Sequence, residues 1–238
     1  MTDSVLQQEY IDNEILNQGM MIQLDKWKTL IESGNNRVGW KIGFNDTSDQ
    51  ARMKIPSAIV GFLTSDRVMC NAGIYKASSS AKLMVEAEIA ILIAKDVLQT
   101  DSKSELEAAI EGFAPAIEIV DVARTSHDVL SILGDNIFHE AVIIGDLIKT
   151  KPSLSAKDVN ASVIVNGELV QTTEPSRYPD DLTDIIKVVS STLHKQGEIL
   201  KAGDWIISGS ITKPYEVFSG DNVEVVLSPL GTLSVGID

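Results

Sequence analysis

Apolar positions near the start of the chain recur at three- and four-residue steps: Tyr10, Ile11, Ile15 and Leu16, then Leu24, Trp27, Leu30 and Ile31. That period predicts a helix across residues 6–31, stopped by Gly34, with extended chain from Val38 onward. After Gly73 the pattern changes to short β-branched runs at 85–93, 116–122, 142–144, 205–208, 223–227 and 232–235. Such runs bounded by turn residues read as strands. Asn166-Gly167, between 162–165 and 168–171, predicts a tight hairpin, because its turn needs residues that accept positive φ. Two helices interrupt the strands. One is opened by a Ser102/Glu105 capping box and must close by Gly112 or Pro115. The other places Leu182, Ile185, Ile186, Val189 and Leu193 on one stripe between Asp180 and Gly197. The expected class is α+β, dominated by strands, with residues 1–72 as a helical portion carrying the Lys41 strand and 73–238 as a β-rich domain.

Composition narrows the partners. The 238 residues hold 34 Asp and Glu against 20 Lys and Arg, a formal charge of −14, which is the wrong sign for a nucleic-acid face. At 44% hydrophobic and 23% charged, the chain has the composition of an ordinary globular protein with a core. No apolar run approaches the ~18 residues of a membrane span. Asp3, Glu9, Asp12 and Glu14 precede the first basic residue, Lys26, which is unlike an export or organelle leader, so a cytoplasmic location is expected. Cys70 is the lone cysteine, which excludes an internal disulfide and a thiolate-rich zinc site.

Candidate chemistry lies where charge interrupts apolar strands. In the 85–93 run, Glu86 and Glu88 point the same way and place like charges side by side. Either that face is a solvated edge, or a divalent cation with oxygen ligands compensates it. Glu118 repeats the pattern in a second apolar strand with no basic residue before Arg124, and would join the same cation if the two strands are neighbours. Asp121 faces the other side of that strand, as a supporting or structural group. In Gly39-Trp40-Lys41-Ile42-Gly43-Phe44, a lysine sits among apolar residues. It either lays its stem along the surface or looks into a cleft as a proton-transfer group.

These segments, with Asp135-Asn136, Leu200-Lys201-Ala202-Gly203-Asp204, Gly209-Ser210-Ile211-Thr212 and Gly220-Asp221-Asn222-Val223, resemble in order and spacing the hydratase and decarboxylase branch of the fumarylacetoacetate hydrolase superfamily. The resemblance runs from about Val38 to the end. It implies a β-rich fumarylacetoacetate-hydrolase-like roll, Mg²⁺ or Mn²⁺ on Glu86, Glu88 and Glu118, Lys41 beside a small-molecule 2-oxo acid, and a homo-oligomer. Asp135, Asn136, His139, Ser210 and Thr212 are carried as substrate-binding or supporting positions. Three positions depart from the family pattern: Ile137-Phe138-His139 replaces small residues after Asp-Asn, Val122-Ala123 precedes Arg124 where Ser-Arg is usual, and residues 172–178 replace a glycine-rich segment.

His139-Glu140 lacks the second histidine of a zinc protease, and there is no nucleophile elbow, Walker loop or dinucleotide fingerprint. The leading expectation is a metal-dependent hydratase adding water to a 2-hydroxy-2,4-dienoate. The alternatives are a decarboxylase of a 4-oxalocrotonate-like 2-oxo diacid and a non-catalytic, metal-stabilised acidic protein.

Overall fold

A computed structural model describes residues 11, 13–98, 102–149, 156–177 and 181–238. The long amphipathic helix is α1 (Asn13–Glu32), which buries Met20, Gln23, Leu24 and Trp27; residues 6–10 and 12 of the expected span lie outside the described residues. There follow β1 (Arg37–Gly43), α2 (Thr47–Met53), β2 (Ile59–Thr64), β3 (Gly73–Tyr75), β4 (Leu83–Ile93), α3 (Lys103–Ala108), β5 (Ile110–Asp121), α4 (Val129–Gly134) and β6 (His139–Ile144). The remainder adds β7 (Asn160–Val165), β8 (Glu168–Thr172), α5 (Leu182–Lys195), β9 (Trp205–Ile207), β10 (Tyr215–Glu216), β11 (Asn222–Ser228) and β12 (Gly231–Ile237).

One sheet runs β2-β1-β9-β4-β5-β6, with β10 also pairing β4; the second runs β3-β12-β11-β7-β8. One large apolar core joins them, with Ile91 and Ile117 of the first in the same cluster as Val163, Val225 and Leu233 of the second, and a smaller cluster of Leu63, Ala90, Ala114, Ala116, Val142 and Ile207 lies within the first sheet. The expected α+β, strand-rich roll is therefore the architecture found. β1, from the portion before residue 73, lies parallel to β9, so the first sheet takes strands from both sides of that position. Among the described residues no helix is long and apolar enough to cross a membrane.

The capping box at Ser102 forms, but the helix it opens is only six residues long. It ends at Ala108, before Gly112 and Pro115 as expected, and both of these lie inside β5. Proline lacks the donor a ladder needs, so it is confined to places where the neighbouring strand stops. Here β6 ends at Ile144 opposite Ala116, and pairing resumes only at Phe113 with Ile148, so Pro115 faces a gap and merely accepts from the Gly145 amide. The segments α2, β2, β3, α4 and β10 were not anticipated; β2 is buried at every position and so shows no alternation, and the others are too short to show a period.

The β1–β9 contact that holds the Lys41 strand depends on Gly39. Its φ is +151°, and a Cβ there would lie 1.9 Å from the Trp205 carbonyl oxygen. Gly39→Ala should therefore lose at least about 3 kcal/mol, a drop of roughly 6–12 °C in Tm. Thermal denaturation within 2 °C of wild type would contradict this placement of β1.

Candidate metal centre and adjoining cavity

Register brings the three glutamates together. β4 and β5 are antiparallel with Glu86 opposite Glu118 and Glu88 opposite Ala116, so all three side chains share one face. One carboxylate oxygen from each lies within 4.8 Å of the others. At that spacing two bare charges repel by about 3 kcal/mol for an effective dielectric of ~20. Glu88 and Glu118 have no exposed surface. Burial first, and then the Glu118 charge, push the Glu86 carboxyl up to about 7. Burial and the charges of Glu118 and Glu86 raise Glu88 well above its ordinary range. Burial acts on Glu118 in the same direction, but Lys41 and His139 outweigh it and hold that carboxyl below its usual value.

Lys41 reaches the cluster from β1. Its Nζ lies 2.5 Å from Glu118 Oε1 and donates to the Ile137 carbonyl at 3.1 Å. Its stem fits because residue 61, opposite it on β2, is glycine; a Cβ there would lie 2.7 Å from Lys41 Cγ. His139 Nδ1 donates to the same Glu118 oxygen at 2.6 Å. Burial lowers the histidine pKa, so the ring is neutral at neutral pH. The Gly209 amide, in the chain leaving β9, donates to Glu88 Oε2 at 2.8 Å.

Two oxygens are left over. Glu88 Oε1 and Glu118 Oε2 are buried and have no hydrogen-bond partner. Buried polar atoms are normally satisfied, and three carboxylates here face a single ammonium. The donor set is all oxygen, which suits a hard divalent cation, so the residues present fit Mg²⁺ or Mn²⁺.

Beside the cluster opens a cavity of about 290 Å³, lined by Lys41, Glu86 and Ser210 together with apolar Phe44, Ile137 and Phe138. Of the other positions singled out by sequence, none lines it. Asp121 accepts the Lys82 and Ala123 amides in a turn. Asp135 pairs with Lys26 and Arg124. Thr212 is buried behind Ser210, whose hydroxyl donates to its carbonyl. Asn136 is a clamp: its side chain accepts from the Phe62 amide and donates to the Phe62 carbonyl at 2.8 and 3.0 Å. It begins three consecutive residues, Asn136, Ile137 and Phe138, with φ of 58°, 54° and 61°. Each non-glycine residue held there costs roughly 1–2 kcal/mol, and the result is an Ile137 carbonyl aimed at Lys41.

Sequence reasoning missed Asn45, Asp49, Arg52, His127 and Arg177, which also line the cavity. Asn45 donates to the Arg177 and Ser210 carbonyls and so ties α2's approach to the 208–212 segment. These residues sit in loops or short helices with no periodic signal. Arg177 belongs to the departing 172–178 stretch, where an arginine among polar residues was the one available clue.

The structure is a strand-rich roll carrying three convergent carboxylates and a buried lysine, and the comparison with known sequences gives its family. Residues 30–237 match the family described as fumarylacetoacetate (FAA) hydrolase, C-terminal, and the chain belongs to it. Among curated relatives, a 4-oxalocrotonate decarboxylase of Pseudomonas putida is 25% identical over 206 residues, covering 85% of this chain and 78% of that protein. A 2-hydroxyhexa-2,4-dienoate hydratase of Comamonas testosteroni is 26% identical over 209 residues, covering 85% and 79%. The solved 4-oxalocrotonate decarboxylase from Pseudomonas putida G7, complexed with magnesium and adipate, superposes with a TM-score of 0.83 at 20% identity, covering 97% of this chain and 100% of that one. That likeness establishes a shared fold.

The raised carboxyls set the sign of a pH effect in the metal-free protein. Between the ordinary value of 4.5 and about 7, folded Glu86 holds a proton that the unfolded chain has released, so stability must fall as pH rises through that window. With chelator present, Tm should decline from about pH 5 to 7.5, and Glu86→Gln should remove part of the decline. Parallel Tm profiles for wild type and variant would contradict the shift.

Proposed function

We propose that the protein is a divalent-metal-dependent lyase of 2-oxo acids, using Glu86, Glu88 and Glu118 as ligands and Lys41 as the proton-transfer group. The observation that carries this reading is the pair of unpartnered buried carboxylate oxygens, Glu88 Oε1 and Glu118 Oε2, beside a lysine that lines the cavity. When bound, the cation supplies Lewis-acid polarisation of a 2-oxo acid. The chain's own groups do the rest. Phe44, Ile137 and Phe138 give the cavity apolar walls that exclude water from the carbon skeleton. The Lys41 ammonium is held by Glu118 and the Ile137 carbonyl, so it is positioned to deliver a proton to a dienolate.

Loss of CO₂ from a 4-oxalocrotonate-like diacid would leave such a dienolate and a 2-hydroxy-2,4-dienoate would ionise to one, and the cavity groups support decarboxylation over hydration. In decarboxylation the C–C bond to the departing carboxylate breaks, its electron pair is delocalised toward the 2-oxo oxygen, and Lys41 returns the proton the dienolate needs. No added nucleophile is required. Hydration needs a base to activate water. Of the described cavity residues outside the metal set, Asp49 is engaged by Arg52 at 2.9 Å and Arg177 at 3.5 Å, and His127 is exposed and packs on Phe138. Arg177 brings a mostly buried guanidinium to the same wall, where it faces Asp46 at 3.8 Å and Asp49 at 3.5 Å. Hydration of a 2-hydroxy-2,4-dienoate is the second reading, favoured by the hydratase relatives. The homo-oligomer implied by the family belongs to the same proposal, supported by solvent-facing Ile15, Met21 and Ile22 on α1.

Turnover of 4-oxalocrotonate and of 2-hydroxypenta-2,4-dienoate with Mg²⁺ or Mn²⁺ tests the assignment. Lys41→Met should lower kcat/KM on the better substrate by about 10²–10⁴-fold and, because it takes one of the two donors from the buried Glu118 carboxylate, should also lower the metal-free Tm, with Mn²⁺ still bound at one site. A loss under about threefold removes Lys41 from the chemistry, and a wild type that consumes neither substrate favours a non-catalytic, metal-stabilised protein.

A further inference from the structure

We propose that His139 is a positioning residue for the metal centre: it fixes the rotation of the Glu118 carboxylate so that Oε2 alone is presented to the cation. The proposal rests on the metal reading above and adds a role for a side chain that lines no part of the substrate cavity. Glu118 receives both of its hydrogen-bond donors on one oxygen, Lys41 Nζ at 2.5 Å and His139 Nδ1 at 2.6 Å, and Oε2 receives none. An ionised carboxylate accepts only, so the imidazole must carry its proton on Nδ1 and donate.

Lysine by itself would not set that rotation. Its ammonium is a point charge on a flexible stem and follows either oxygen, whereas a planar ring donates along one direction. The backbone that carries the ring is in turn held, and the buried Nε2 has no hydrogen-bond partner, so Glu118 is the ring's one polar contact among the described residues. His139 is 3% exposed, its amide donates to the Asn136 carbonyl at 3.1 Å, and its carbonyl accepts from Arg124 Nη1 at 2.9 Å. A register irregularity between Ile119 and Val120 places it opposite Val120 at the start of β6, close enough to reach Glu118 on the neighbouring strand. Asn136, clamped to Phe62 on β2, therefore anchors both donors, through the Ile137 carbonyl on Lys41 and through its own carbonyl on the His139 amide.

Calorimetric titration of the whole protein with Mn²⁺ tests this, using His139→Leu, His139→Asn and His139→Gln. Leucine removes the donor and should weaken binding by about 10–100-fold, the usual effect of losing a group that orients a metal ligand. Asparagine places an amide N–H where Nδ1 stood and should keep the affinity within about threefold, while the glutamine amide sits at the level of Nε2 and should behave like leucine. If leucine does not fold, the asparagine and glutamine pair decides the matter. Wild-type affinity in the leucine variant, or equal loss in asparagine and glutamine, overturns the role of His139. A wild type that binds no Mn²⁺ overturns the metal reading itself.

Discussion

Glu118 carries an ionised carboxylate with no exposed surface, and a charge in that position is tolerated only with donors fixed against it. Lys41 and His139 provide them on one oxygen. The same donors bind the rest of the site together, because Lys41 comes from β1, His139 from β6 and Glu118 from β5, at separate places in the sheet order. Glu86 and Glu88 have no comparable compensation, and burial together with their neighbours' charge raises both carboxyls. Three glutamates in apolar strands make physical sense as a prepared receptor for positive charge rather than as a stabilising feature of the empty fold.

The strain around the cluster follows from the same need. Three successive residues with φ near +60° are unfavourable for asparagine, isoleucine and phenylalanine alike, though least so for asparagine. They persist because Asn136 is bound on both sides of its amide to Phe62 and because Ile137 and Phe138 are buried. The conformation aims a carbonyl at the Lys41 ammonium, turns two hydrophobic side chains into the cavity and starts β6 at His139. Binding apparatus and cavity wall are thus one short segment.

Much of this was legible in the chain. Helical periodicity located α1 and α5, β-branched runs bounded by turn residues located β4 and β11, and Asn166-Gly167 located the β7–β8 hairpin. Glu86, Glu88, Glu118 and Lys41 stood out because charge inside an apolar strand is costly, a rule that needs no knowledge of the fold. Register was not legible: only the pairing of β4 with β5 puts Glu118 across from Glu86. Nor was the place of Pro115 inside β5 legible, since a proline inside a strand is permitted by where its neighbour ends. Asp135 and Asn136 are adjacent in sequence yet point to a surface ion pair and a buried clamp respectively, and Asp121 caps a turn. Arg177 and Asn45 join the cavity through loop geometry, on which local pattern is silent.

The most direct measurement is the anomalous difference density of an Mn²⁺-soaked crystal. Buried, unpartnered Glu88 Oε1 and Glu118 Oε2 require one strong peak at about 2.1 Å from an oxygen of each of Glu86, Glu88 and Glu118, with Lys41 and His139 still on Glu118 Oε1. A peak that excludes Glu118, or density only at surface carboxylates, would contradict the assignment of this cluster as the metal centre.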